Sequence, residues 1–166
     1  MREVGVFVIL ALTGAGCVTQ QIGSRGSAAV APALSVETFL EAANRRDLET
    51  MARVFGTADG PIGDTGSAFG CAFKKMGSWI GLGDRCLTRQ EVEVRMNVIA
   101  GVLASDSYRL GADERVAGRE RPTTRVEVTL NKGGRDVGGV PFVVVQGKSG
   151  AWYIEEIGLD RVTAQR

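Results

Sequence analysis

An α+β domain, helices first and an antiparallel meander after them, is predicted by three observations. Two capped apolar stripes with helical spacing lie near the start of the folded part and a third lies at mid-chain; the period changes to strict alternation after Ser105; and turn signals at Asn131–Gly134 and Gly147–Gly150 punctuate the alternating part. Helices that precede a run of strands in this order pack together on one face of the sheet. At 166 residues the chain has the size of a single domain with a sizeable core.

Taken in order, Ser35 is placed to cap a helix from Val36 to about Arg45, with Val36, Phe39, Leu40 and Ala43 on one stripe. Asp47 is placed to cap a second helix, in which Leu48, Met51, Ala52 and Phe55 recur at i, i+3, i+4 and i+7 and Gly56 is the stop. Gly56 to Gly70 has no period and reads as a loop. Thr88 and Glu91 then form a capping box, Leu87 and Val92 the two ends of a hydrophobic staple, and Val92, Met96, Ile99 and Leu103 an apolar face, so a helix is expected from Arg89 to about Ala104. A strand begins at Tyr108 and Leu110 and extends towards Val116. Val126, Val128 and Leu130 mark a half-buried second strand, Val140 to Gln146 a nearly continuous apolar third, and Ala151 to Ile157 the last.

Composition narrows the chemistry. Lys plus Arg is 20 against 19 for Asp plus Glu, a net charge of +1 without the concentrated basic face of a nucleic-acid binder, so no nucleic-acid partner is expected. The chain has 23 glycines, about twice the usual share of roughly 7%, which calls for many tight turns. There is no histidine. That excludes Ser-His-Asp and Cys-His nucleophilic sites and histidine-ligated zinc or haem, and leaves carboxylates, Lys, Tyr and Cys for any catalysis.

The first residues read as an address. Arg2 is a short basic region, Val4 to Leu12 an apolar run too short to span a bilayer, and small residues continue to Cys17, the pattern of a secretory signal peptide. Leu12-Thr13-Gly14-Ala15-Gly16-Cys17 resembles the bacterial lipoprotein signal, in which cleavage precedes a cysteine that carries diacylglycerol; Gly14 stands where that family usually has Leu, Val or Ala. The resemblance implies a signal peptide over 1–16, lipidation of Cys17, and anchoring without a spanning helix at about 0.8 kcal/mol per buried methylene. Val18 is not the aspartate of inner-membrane retention, which points to the outer membrane facing the periplasm. Plain secretion, with cleavage near Ala28-Ala29-Val30-Ala31, is the alternative and would give a soluble secreted or periplasmic protein. Residues 17–34 are the lipidated N-terminus and a flexible tether, in which Val18 to Ala33, rich in Ser, Gly, Ala, Gln and Pro, has a reach of roughly 20 to 24 Å; the domain over 35–162 and a tail over 163–166 come after it.

If Cys17 carries lipid, Cys71 and Cys86 remain, and an even pair in an exported chain reads as a disulfide. The loop it closes would constrain the unfolded chain by about 3 kcal/mol. Inside it Phe73, Met76, Trp79 and Ile80 have helical spacing, so a short helix is expected there. A metal or redox pair is the sharper alternative, but two sulfurs with neither histidine nor a C-x-x-C spacing support it poorly.

Two segments carry a wider resemblance. Val36-Glu37-Thr38-Phe39-Leu40-Glu41-Ala42-Ala43-Asn44-Arg45-Arg46-Asp47-Leu48, and the closing hairpin return Gly150-Ala151-Trp152-Tyr153-Ile154-Glu155-Glu156-Ile157, are similar to the nuclear transport factor 2-like superfamily and its small exported bacterial members. The resemblance covers both ends of the domain and not its middle. It implies a curved antiparallel sheet wrapped around the N-terminal helices into a cone whose open end can hold a small apolar ligand. Some members are isomerases or dehydratases, many others binding or assembly modules, and fold analogy does not choose among them.

The residues themselves favour a domain without catalysis. Glu155 or Glu156 with Tyr153 or Tyr108 could form an acid–base pair, yet alternation sets adjacent strand residues on opposite sides unless a bulge intervenes. Phe69, Trp79, Tyr108, Phe142, Trp152 and Tyr153 are candidate pocket-lining residues, large apolar groups that can equally be plain core. Gly147-Lys148-Ser149 imitates the end of a phosphate loop but has Phe142 where the loop needs glycine, and Gly60, Gly63, Gly66 and Gly70 lack dinucleotide spacing. Arg115, Arg119, Arg121 and Arg125 interleave with Asp113, Glu114, Glu120 and Glu127 as a mixed-charge surface. No catalytic residue, metal or cofactor is expected.

The reading is therefore a lipid-anchored envelope protein with a non-catalytic domain for a small apolar ligand or an envelope protein, in which a homodimer is allowed. The alternatives are an isomerase- or dehydratase-like enzyme using a pocket carboxylate or tyrosine, and an assembly module without ligand. Cys17→Ser should move the protein from membrane pellets to the soluble fraction or stall it as precursor, and peptide mapping without reductant should recover Cys71 joined to Cys86. A mature N-terminus near Ala31, or two freely alkylated thiols in exported protein, would contradict these expectations.

Overall fold

The computed structural model describes residues 31–63 and 88–164. Cys17 and the residues around it, Phe69, Cys71, Trp79, Cys86, the short helix expected between the two cysteines, and Leu87 of the staple lie outside the described residues. The rest is an α+β domain. α1 (Pro32–Arg45) and α2 (Leu48–Val54) are followed by a small hairpin, β1 (Gly56–Thr57) and β2 (Gly60–Pro61), then by α3 (Arg89–Leu103), the strands β3 (Ser107–Arg115), β4 (Thr123–Lys132), β5 (Arg135–Gln146) and β6 (Trp152–Ile157), and a terminal helix α4 (Leu159–Thr163). The four long strands form one antiparallel meander in the order β3-β4-β5-β6.

The first helix starts earlier than its sequence suggests. Ala31 is the N-cap and Pro32 occupies the first turn, where a missing N–H costs nothing and the fixed φ favours the helix. Pro32 to Leu34 therefore belong to α1 rather than to a tether. Ser35 does not cap. It is fully buried inside α1, and its hydroxyl donates to the Trp152 carbonyl at 2.9 Å, which fixes the start of the helix to β6. At the other end Arg46 adopts a left-handed φ of 55°, and the Asp47 amide returns to the Ala42 carbonyl at 2.8 Å. Asp47 then caps α2 by accepting from the Thr50 amide at 3.0 Å.

The stretch after α2 is a hairpin rather than a featureless loop. Phe55 is extended and bridges in parallel to Ile154, which brings β1 beside β6. Gly56 allows this turn through lack of bulk: a Cβ there would stand 2.2 Å from the Gly60 carbonyl oxygen. The sheet exceeds its expected length mainly in β5, whose first half, Arg135 to Gly139, pairs with the end of β4. Gly133 and Gly134, with φ of 60° and 77°, make the two-residue turn between them.

One face of the sheet is the core. Val126, Val128, Leu130, Val140, Phe142, Val144 and Ile154 are buried, and the helices add Val36, Phe39, Leu40, Met51, Val92, Met96 and Leu103. Phe39 sits at the centre, its ring 6.0 Å from Phe55 and 6.5 Å from Phe142, the latter edge-on at 70°. α4 adds Val162 to the same cluster.

Two measurements test this packing. Phe39→Ala should lower unfolding free energy by about 3–5 kcal/mol. The Thr50 amide and then its hydroxyl hold the Asp47 carboxyl below its ordinary 3.8. A depressed carboxylate stabilises the fold above its unfolded pKa and ceases to do so as pH falls through the folded value. Denaturant titrations should thus show Asp47→Ala about 1 kcal/mol less stable at neutral pH, with the gap closing in acid; a pH-independent gap would contradict the capping role.

Candidate functional site

Of the six expected pocket residues, Tyr108, Phe142, Trp152 and Tyr153 lie among the described residues, and these four occupy different places on the sheet. Phe142 is fully buried core beneath Phe39. Tyr108 and Trp152 are half-buried on the same side of the sheet, but the register puts Tyr108 opposite Leu130 on β4, at the end of the sheet where Leu130 meets Val137, and Trp152 opposite Gln146 at the other end of β5. α1 crosses between them, with Ser35 bonded beside Trp152 and the charges of Glu41, Glu37 and Arg45 felt at Tyr108. Burial first, then the two glutamates, push the Tyr108 phenol above its ordinary value, so it stays neutral at physiological pH. Tyr153 alternates with the inward Trp152 and Ile154, and it is buried on the opposite side of the sheet with Val143 and Val145, outside the main core cluster.

The two glutamates of β6 are placed by a bulge. Val144 pairs with Ile154 and Phe142 with Ile157, so Glu155 and Glu156 together occupy the space opposite Val143. Ile154 and Ile157 point to the core, and both glutamates fall between them on the side away from it. Neither carboxylate is on the core side, although the Oε2 atom of Glu155 is itself shut off from solvent. Glu155, 27% exposed, lies with Oε2 3.1 Å from an Arg119 guanidinium nitrogen, a charge contact without the direction of a good hydrogen bond. Arg119 belongs to the β3–β4 connection and reaches β6 across the sheet.

Inside the domain, the buried polar residues among those described are Ser35 and Thr123, both bonded to backbone carbonyls. No buried carboxylate or lysine stands among them, and no three groups of metal-ligating type cluster among the described residues.

The surface feature that the apolar stripe of α3 hides is its opposite side. Val92, Met96, Ala100 and Leu103 are buried, while Val94 and Val98, one turn apart, are 58% and 59% exposed. Thr88, Gln90, Glu91, Val94 and Arg95 line an open cleft of about 290 Å³ beside them. The Glu91 carboxylate is engaged by the cap: it accepts from the Thr88 amide at 2.7 Å and from its hydroxyl at 2.9 Å, while the Glu91 amide donates back at 3.2 Å. The cleft thus sets Val94 beside the Arg95 guanidinium and the Gln90 amide, without a nucleophile–base pair among its lining residues. Its sequence signal is a pair of β-branched residues four apart and off the apolar stripe.

Comparison with protein-family models, curated proteins and solved structures finds no match to this chain.

If Val94 and Val98 serve the surface and not the core, Val94→Ser and Val98→Ser should each leave unfolding free energy within about 0.5 kcal/mol, whereas Met96→Ala should cost about 2–5 kcal/mol. Chemical denaturation of the three variants distinguishes the two faces of α3.

Proposed function

We propose that this chain is an exported, lipid-anchored envelope protein whose cone-like domain binds an envelope protein on its exterior and performs no chemistry of its own. The observation that supports the reading is the packing of the described core: among the described residues the core side of the sheet carries apolar side chains at or near complete burial, with Phe39 seated between Phe55 and Phe142. A small-ligand cone needs an apolar cavity, and an isomerase of this kind needs a cavity with an inward acid or base. Here the carboxylates of β6 are turned to the other side and Tyr108 and Trp152 are separated. Register shifts in β3, β4/β5 and β5/β6 support the curved sheet that a cone requires. The export and anchor rest on the Leu12–Cys17 signal.

Native mass spectrometry of the protein extracted in detergent from its own membrane tests the reading. The expected mass is that of a chain beginning at a lipidated Cys17, with no small molecule retained by the domain. In a deletion strain, Glu155→Gln should complement as well as the natural chain. A retained apolar small molecule, or loss of complementation by a Glu155→Gln protein that folds and localises normally, would overturn it.

A further inference from the structure

The two edges of the sheet are treated differently by the fold. At β6, Phe55 bridges to Ile154 and β1 lies alongside. At β3 no strand among the described residues pairs on the outer side, and seven of its nine residues are exposed. A free edge of this length presents unsatisfied N–H and C=O groups and is a template for another strand. Edge strands are commonly protected by charge, and β3 is charged, but with both signs: Arg109, Asp113, Glu114 and Arg115. Asp113, Glu114 and Arg115 form no ion pair or side-chain hydrogen bond among the described residues, while Arg109 contacts Asp136 at 2.6 Å.

The bulge in β3 decides which side each charge occupies. Leu110 pairs with Val128 and Asp113 with Val126, so Gly111 and Ala112 together stand opposite Glu127. In a regular strand Arg109 and Glu114, five apart, would fall on opposite faces. With the extra residue both fall on the face away from the core: Arg109 opposite Thr129 and Glu114 opposite Arg125. Tyr108 and Arg115, opposite Leu130 and Thr124, fall on the other.

We propose that the β3 edge pairs antiparallel with the β3 edge of a second copy of this chain, about a two-fold axis between Gly111 and Ala112, forming a continuous eight-stranded sheet. This register sets Arg109 opposite Glu114 of the second copy and Tyr108 opposite its Arg115, and the two-fold repeats each pair. The result is two ion pairs on one face and two arginine–tyrosine contacts on the other, where Leu110 also stands opposite Asp113 of the second copy. The bulged residues face one another, so no side chain crosses to the wrong side. A slip of one residue opposes side chains from different faces, and a slip of two removes both ion pairs. The occupant is a second copy because the edge is complementary to itself in this one register.

The test uses the full chain purified in detergent, with oligomeric mass measured by light scattering across a concentration series and the detergent contribution subtracted. The natural chain should pass from one copy to two. Glu114→Arg opposes two arginines in each pair, and Arg109→Glu opposes two glutamates, so each variant alone should dimerise at least about tenfold more weakly. Mixing the two variants restores Glu opposite Arg at both positions and should restore the dimer at close to its natural strength. Circular dichroism confirms folding of each variant beforehand. A natural chain that stays monomeric throughout, a dimer unmoved by Glu114→Arg, or folded variants that fail to associate when mixed would each overturn the proposal. None of these outcomes depends on the lipid anchor or on the partner bound elsewhere.

Discussion

The contact of Phe39 with Phe55 and Phe142 is the constraint on which the rest of the architecture depends. It joins the first helix, the exit of the second and the central strand β5 in one buried cluster, and the two ring pairs contribute about 0.5–1.5 kcal/mol each beyond the area they bury. From there the chain has little freedom. Ser35, one turn before Phe39, finds the Trp152 carbonyl, and Phe55 meets Ile154, so β6 is held at two points. Arg46, in its left-handed turn, donates to Asn97 at 3.0 Å and ties the α1–α2 corner to α3.

On the proposed reading, function lies on the outside of this core. The display of groups on the surface is set by local devices: the capping box that engages Glu91 beside Val94, the bulge that turns Glu155 and Glu156 away from the core, and the bulge that gathers Arg109 and Glu114 on one face of β3. The bulges matter most. Each changes the side on which a charge is displayed without changing a residue, so side-chain identity alone does not say which groups act together.

How much of this is legible in the sequence depends on the reach of each interaction. The Asp47 cap and the Thr88–Glu91 box are readable because both partners lie within three residues. Ser35 has the look of a cap, yet its hydroxyl partner lies 117 positions away, and Pro32, the true initiator, sits in a stretch with the composition of a tether. The first half of β5 is hidden because Gly138 and Gly139, with φ of 68° at Gly139, resemble a turn and instead form the shift that lets Val137 and Val140 both face the core. α4 has five residues and a single buried one, Val162, too few for a periodic signal. The described aromatic residues that suggest a pocket, Tyr108, Phe142, Trp152 and Tyr153, are spread over the sheet because composition carries no register.

Xenon distinguishes a filled interior from an open cone, since an empty apolar cavity takes up xenon and a packed core does not. Crystals of the natural chain under xenon pressure should show no bound atom between α1 and the sheet, while Phe39→Ala crystals should show one in the space the ring vacates. Xenon bound in that position in the natural chain would mean an open apolar cone and would contradict the account.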